Sequence, residues 1–211
     1  MTQIIAPARD VVPKAEQARR TRTLIVETGI RCLANHGFAG TTMLLIAREA
    51  GLSRGPLHYH FADRNELMAA IAEALPRGVS ASLLSRLAAP KTLDAQLETM
   101  VDLALEQHHG QHHFAAMELL LAARNDPELS AAIQPHFSES ETAIDDWWIE
   151  YFAMLRWPAE RLVAFRHVLV ACLRGLALDH LLQGDESAHK NALALFREMF
   201  LKFSRAPLDG K

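Results

Sequence analysis

A predicted pair of short helices, joined by a tight turn within residues 41–65, constrains the fold of this chain more than any other feature. Met43, Ile46 and Ala47 recur at the spacing of one helical face, so the first helix has an apolar side. Gly51 follows it, and glycine adopts at least cost the left-handed conformation that ends many helices. Before that helix stand two threonines, Thr41 and Thr42, and either can cap its first turn.

The second short helix is predicted to begin after Ser53, which can cap it, and to carry Gly55 in its first turn. Leu57 and Phe61 lie four residues apart and anchor this helix inward. The side chains between the two anchors point elsewhere: His58, Tyr59 and His60. This pattern is typical of a helix-turn-helix, in which the second helix enters the major groove of DNA.

The order and spacing of many residues over about 25–67 closely resemble the tetracycline-repressor (TetR) family. The matching segments are Gly37-Phe38-Ala39-Gly40-Thr41-Thr42, Ile46-Ala47-Arg48-Glu49-Ala50-Gly51-Leu52-Ser53-Arg54-Gly55, His60-Phe61 and Glu66-Leu67. The resemblance implies an all-helical homodimer that binds palindromic DNA and releases it when a small molecule enters the C-terminal domain. Three places depart from the usual family pattern: His58 replaces tyrosine, Arg64 replaces lysine, and Leu44-Leu45 replace polar residues.

The expected DNA contacts divide into one group that reads bases and one that binds phosphates. Arg54 can reach the O6 and N7 atoms of guanine, and Tyr59 is the second candidate for a base contact. Phosphate contacts, which fix register without reading sequence, are expected from Thr42, His58, His60 and Arg64. The full set of candidate DNA-binding residues is Thr41, Thr42, Ser53, Arg54, Gly55, His58, Tyr59, His60 and Arg64.

The whole chain has 211 residues, half of them hydrophobic, which is enough for a sizeable core. We expect an all-α protein with a flexible arm (1–15), a three-helix helix-turn-helix domain (16–65) and a helical regulatory and dimerisation domain (66–211). Residues 1–75 carry nine Lys/Arg against seven Asp/Glu, whereas residues 76–211 carry thirteen against eighteen. Positive charge is therefore concentrated in the half with the helix-turn-helix, as DNA binding requires.

The sequence contains no run of about 18 apolar residues and no secretory signal, so neither a membrane span nor export is expected. Cys32 and Cys172 both lie in apolar helical context and are expected to be free thiols, which fits the reducing cytoplasm. There is no glycine-rich phosphate loop, nucleophilic serine elbow or HExxH motif, so we expect no enzyme activity and no cofactor.

The predicted helix from Pro158 to about Gln183 is apolar on more than one side, so we expect it to be covered on both sides, and the last predicted helix is also apolar. They could form a four-helix dimer interface with a partner's pair or close the core of the monomer, and we favour the dimer. The candidate interface residues are Leu169, Leu173, Leu176, Phe196 and Phe200.

The family resemblance also implies a cavity for a small apolar or amphipathic effector within residues 93–176. Candidate lining residues are Leu97, Met100, Ala104, Gln107, Met117, Glu118, Leu121, Trp147 and Tyr151. The histidine cluster His108, His109, His112 and His113 contains two pairs at i, i+4 spacing and is a weak candidate for a metal site. Three alternatives therefore stand: an effector-released repressor, a metal-responsive sensor on the same scaffold, and a helical enzyme or interaction module with an incidental helix-turn-helix.

Overall fold

A computed structural model describes residues 13–75, 85, 86, 88, 92–107 and 110–205, and throughout these ranges the regular structure is helical, as expected. Four helices make the N-terminal part: α1 (Lys14–Gly40), α2 (Met43–Glu49), α3 (Arg54–His60) and α4 (Arg64–Ala74). Five more follow, α5 (Leu93–Gln107), α6 (Gln111–Ala123), α7 (Pro127–Tyr151), α8 (Ala159–Gln183) and α9 (Glu186–Arg205), with a short 3₁₀ helix at Ala153–Leu155. The sequence also predicts a kink or break of the fourth helix near Leu75, because Pro76 interrupts it, and Pro76 lies outside the described residues.

Side-chain caps explain why several of these helices begin where they do. The Thr42 hydroxyl accepts a hydrogen bond of 3.1 Å from the amide of Leu45, and Asp63 caps α4 through the amide of Glu66. Asp126 caps α7 and Asp185 caps α9 in the same way. The exception is Ser53, which precedes α3 but makes no side-chain cap bond, so the expected cap is absent.

The first of two core clusters joins the helix-turn-helix to part of the C-terminal region. It combines the inner faces of α1 to α4 with Ala115 and Leu119 of α6 and with Leu129 and Ile133 of α7. At Gly29 a β-carbon would stand 2.5 Å from the end of the Ile71 side chain, which explains the glycine in the middle of α1. The N-terminal helices therefore share one continuous core with α6 and the start of α7.

The second core cluster lies among α5, the end of α7, α8 and α9. Its rings pack closely, with Phe165 and Phe200 stacked at 4.3 Å between centroids and Trp148 beside Phe152 at 4.6 Å. Aliphatic side chains of α5 and α8 complete it, including Leu97, Val101, Leu162, Leu169 and Leu173. No described helix is both long and apolar enough to cross a membrane.

Candidate nucleic-acid interface and effector cleft

The sequence of α3 divides its side chains between the core and the surface. Leu57 is 1% exposed and Phe61, directly after the helix, is fully buried. Arg54 and His58 are exposed on the outer side, and Tyr59 is 80% exposed, with its ring edge-on to His60. A large aromatic side chain this exposed has no role in holding the fold, and it stands beside groups that can bind DNA.

The two leucines that depart from the family pattern have different environments. Leu45 packs against the first core cluster, whereas Leu44 is 54% exposed. Leu44 helps line a shallow groove between α2 and α3, to which Arg54 and His58 also contribute. Leu44 therefore lies on the same surface as the candidate DNA contacts.

Thr41 and Thr42, both expected to contact DNA, differ sharply in position. Thr41 is fully buried, and its hydroxyl donates a 2.7 Å hydrogen bond to the carbonyl of Gly37. This placement removes the Thr41 side chain from the surface expected to meet DNA. The Thr42 side chain is exposed at the start of α2, where its hydroxyl can still donate a hydrogen bond to a phosphate.

Arg64 was expected at a phosphate, but the structure turns its side chain into the protein. Its Nη2 donates to the carbonyls of Phe38 (2.6 Å) and Thr41 (3.1 Å), and the guanidinium lies 3.9 Å from the centre of the Phe38 ring. Burial lowers the pKa of Arg64 from its usual value. The side chain thus fastens the connection between α1 and α2 to the start of α4.

Glu118 was expected to meet a ligand, but its carboxylate faces α1. Oε2 accepts a 2.8 Å hydrogen bond from the amide of Phe38, next to Gly37, where a left-handed φ of 68° interrupts α1. The bonded residues are 80 positions apart, so no local pattern in the sequence could have indicated this contact. It connects α6 directly to the start of the helix-turn-helix.

An open cleft of about 580 Å³ lies among α5, α6, α7 and α8. It is lined by Leu75, Ala104, Glu106, Gly110, His112, His113, Ala116, Leu120, Phe137, Ser140, Glu141, Ile144, Val170, Leu173 and Arg174. Of the expected effector contacts whose side chains the structure describes, Ala104 alone borders it. The cleft uses faces of α7 and α8 that periodicity alone did not separate from the core faces.

The other expected effector contacts that the structure describes lie elsewhere. Leu97 is fully buried and Met100 nearly so in the second core cluster, and Leu121 is 59% exposed. Trp147 and Tyr151 stack on each other at 4.9 Å and pack against the same cluster. Met117 is half-buried on α6, and the Gln107 side chain lies outside the described residues.

Two of the four clustered histidines, His112 and His113, border the cleft at the start of α6. His108 and His109 lie outside the described residues. Within the described part of the chain, no group of three or more His, Cys, Asp or Glu side chains could hold a metal ion. The described residues therefore give the metal hypothesis no support.

The five expected dimer residues are placed mainly inside the chain. Leu169, Leu173 and Phe200 are buried in the second core cluster, and Leu176 and Phe196 are half-buried. Because side chains already covered by their own chain cannot meet a partner, the expected face was misplaced for those three. The large apolar side chains that remain exposed on α8 and α9 are Val168, Leu178, Leu181, Leu182, Leu195, Met199 and Phe203.

Comparison with known proteins matches both parts of the chain. Residues 25–71 match the family described as bacterial regulatory proteins, tetR family, and residues 88–202 match the tetracyclin repressor-like C-terminal domain. The transcriptional regulator CymR of Pseudomonas putida is 27% identical over 196 residues, which cover 91% of this chain and 97% of that protein. The regulator TtgR of Pseudomonas putida is 38% identical over 60 residues, 28% of this chain and 29% of that protein.

Solved structures agree on the fold. A crystal structure of the multidrug binding protein EbrR complexed with imidazole superimposes with a TM-score of 0.60 at 23% identity, over 89% of this chain and 97% of that one. The fatty acid degradation regulator FadR of Bacillus halodurans gives a TM-score of 0.66 at 14% identity, over 89% and 97% of the two chains.

The chain is a helix-turn-helix transcriptional regulator, as its family matches, the exposed second helix of the motif and the helical C-terminal part together show. More particularly, the chain belongs to the TetR family, and it is therefore a DNA-binding regulatory protein and not an enzyme.

Proposed function

We propose that two copies of this chain repress transcription by binding a palindromic operator, and that a small molecule in the α5–α8 cleft releases them. The observation that carries the proposal is the outer face of α3, where Arg54, His58 and Tyr59 are exposed together while Leu57 holds the helix to the core. In this geometry Arg54 reads a base, and His58 and Thr42 contact phosphates.

The second copy is proposed to cover the outer face of α8 and α9. On α8, Val168, Cys172 and Gly175 recur at helical spacing, and all three are exposed. A β-carbon at Gly175 would meet no atom within 4 Å, so another helix can approach closely there. Leu195 and Met199 supply exposed apolar surface on α9. A two-fold axis through such a face would pair two α3 helices with the two half-sites of a palindrome.

Helix α6 is proposed to connect the effector to DNA binding. Its side chains Ala116 and Leu120 line the cleft, while Glu118, between them in sequence, bonds to the amide of Phe38 beside the helix-turn-helix. A ligand that prefers a shifted α6 would move the start of the motif through this contact. Since half-site grooves are about 34–36 Å apart, a small tilt prevents both copies from docking at once.

Selection from random DNA duplexes tests the operator proposal. We expect the purified full chain to enrich a palindrome whose half-site centres lie about one helical turn apart. Enrichment of a single half-site, or of no sequence, would contradict the proposal of a dimeric operator complex.

Replacing Glu118 by alanine tests the connection through α6, because it removes the acceptor of the Phe38 amide. Hydrogen–deuterium exchange at residues 37–41 should accelerate, and operator affinity should fall about tenfold or more, since a hydrogen bond to a charged group contributes about 1.5–3 kcal/mol. Glu139→Ala, an exposed change on α7, serves as the control. Wild-type exchange and affinity in Glu118→Ala would rule out a positioning role for this contact.

A further inference from the structure

The cleft among α5 to α8 has the size and the walls of a small-molecule site. Its volume of about 580 Å³ lies within the range of ~300–1,000 Å³ typical of ligand pockets. Most of its wall is apolar, including Leu120, Phe137, Ile144 and Val170. This surface can hold a hydrophobic body, so the polar lining residues decide which ligand class is bound.

The two carboxylates that line the cleft already have arginine partners. Glu106 accepts two hydrogen bonds from Arg86, at 2.6 and 3.0 Å. Glu141 accepts one from Arg166 at 2.5 Å, and Arg166 also donates to Asp145 at 2.6 Å. The acidic groups at the cleft are therefore neutralised within the protein, and both Glu side chains are about half exposed to water.

Arg174 also lines the cleft, and its positive charge has no carboxylate partner of this kind among the described residues. It lies two turns after Arg166 on α8, and no carboxylate among the described residues forms an ion pair with it. Its Nε is shielded from solvent and has no hydrogen-bond partner. A buried donor without an acceptor costs free energy, and an acceptor brought by a ligand would remove that cost.

We propose that this cleft binds an amphipathic monocarboxylate, whose apolar body lies against Phe137, Ile144 and Leu120 and whose carboxylate accepts hydrogen bonds from Arg174. The planar guanidinium offers paired N–H groups that fit the two carboxylate oxygens. A single negative charge suits the site because the described lining offers one arginine, Arg174, so a second negative charge on a phosphate would have no guanidinium to meet. The proposal rests on the regulatory role proposed above and names the ligand class of that cleft.

A cationic ligand fits the same lining less well. The carboxylates it would need are hydrated and already bonded to Arg86 and Arg166, whereas the unmatched group is a positively charged donor. A cation would therefore have to break an existing ion pair and would face the Arg174 charge across the cleft.

Calorimetric titration of the full chain with two sets of probes tests the proposal. The probes of one set share a decyl chain as their apolar body, and those of the other set share a naphthalene ring. Each set has three probes, which end in a carboxylate, a primary amide or an ammonium group. For at least one body, we expect the carboxylate to bind about tenfold or more tightly than the amide and the ammonium, the usual effect of a charged hydrogen bond. Arg174→Gln should abolish this preference and leave amide binding unchanged.

Two further variants keep the test decisive. Arg161→Gln removes the same charge from an exposed position on α8 that does not border the cleft, and it should retain the carboxylate preference. Ile144→Trp fills the cleft and should weaken acid and amide alike. Equal binding of acid and amide, stronger binding of the ammonium, no binding by any probe, or a preference that survives Arg174→Gln would each overturn the proposal.

Release of DNA is measured separately, so that the two proposals can fail independently. If the carboxylate binds through Arg174 but does not release the operator, the ligand assignment holds and the proposed induction is wrong. If a carboxylate releases the operator equally well from wild type and Arg174→Gln, induction holds and this ligand site is wrong.

Discussion

The helix-turn-helix part and the last two helices differ in how completely the chain covers its own apolar side chains. Among the described residues up to 75, the large apolar side chains left exposed are Leu24, Leu44 and Tyr59, and the last two lie on the surface proposed to meet DNA. Helices α8 and α9 leave seven such side chains exposed. The first part is thus closed by its own chain, with help from α6 and α7, whereas α8 and α9 present a face suited to a partner.

Placing a charge on the outer face of α9 should have the largest effect. Met199→Glu would leave an unpaired charge in the proposed interface, at a cost of about 3–5 kcal/mol. We expect monomers in sedimentation velocity and a loss of operator affinity of more than about a hundredfold, since two copies would no longer bind as one unit. Leu121→Glu is the matched control, because Leu121 is equally exposed but lies on α6. A dimeric Met199→Glu protein would place the interface elsewhere.

Arg64→Lys should separate a structural arginine from a phosphate-binding one. Lysine keeps the charge but cannot span the carbonyls of Phe38 and Thr41 while stacking on the Phe38 ring. We expect a loss of about 2–3 kcal/mol in the free energy of unfolding, measured with urea. Unchanged stability combined with weaker operator binding would instead support the phosphate contact that was expected from the sequence.

Arg54→Ala should act on DNA binding and leave the fold alone, because this side chain is exposed at the start of α3. The expected loss is about 1–3 kcal/mol on the selected operator, and less on variants with a changed base pair at the contacted position. Fluorescence anisotropy on the operator and its single-base variants measures this difference. An equal loss on every duplex would make Arg54 a backbone contact.

Replacing either of two glycines by alanine should have the smallest effects, and these are effects on the free energy of unfolding. A β-carbon at Gly55, within α3, would meet no atom within 4 Å, so Gly55→Ala should stabilise the protein by about 0.5–1 kcal/mol. Gly51 has equally open surroundings but a φ of +67°, so Gly51→Ala should destabilise the protein by about 1–2 kcal/mol. Urea unfolding measures both changes in the free energy of unfolding. Changes of the same sign would mean that the backbone conformation at Gly51 does not decide which residue is tolerated there.

Features of the helix ends could be predicted from the sequence, because they depend on residues close by in the chain. Rules that depend on nearby residues describe the helix boundaries well: Asp63, Asp126 and Asp185 each accept a capping hydrogen bond, and Gly51 has the expected left-handed conformation. These features depend on neighbours within four residues, so the pattern contains the information.

Local sequence rules could not predict long-range contacts, or which side of α8 packs against the chain's own core. Nothing near Glu118 indicates that it will meet Phe38, and nothing near Arg64 indicates that it will turn inward. Because α8 is apolar almost all round, periodicity could not tell that Leu173 faces the chain's own core while Val168 stays exposed. The expected effector contacts all lie on α5 to α7, where helical spacing does not show which face borders the cleft.

The rate at which Cys172 is alkylated tests the central difference between the two parts most directly. Cys172 is exposed on the outer face of α8, whereas Cys32 is buried in the first core cluster, where burial raises the pKa of its thiol. At concentrations that saturate the operator, we expect Cys172 to react slowly in wild type and rapidly in Met199→Glu, with Cys32 unreactive in both. Rapid alkylation of Cys172 in operator-bound wild type would show that no second copy covers this face, and would contradict the account.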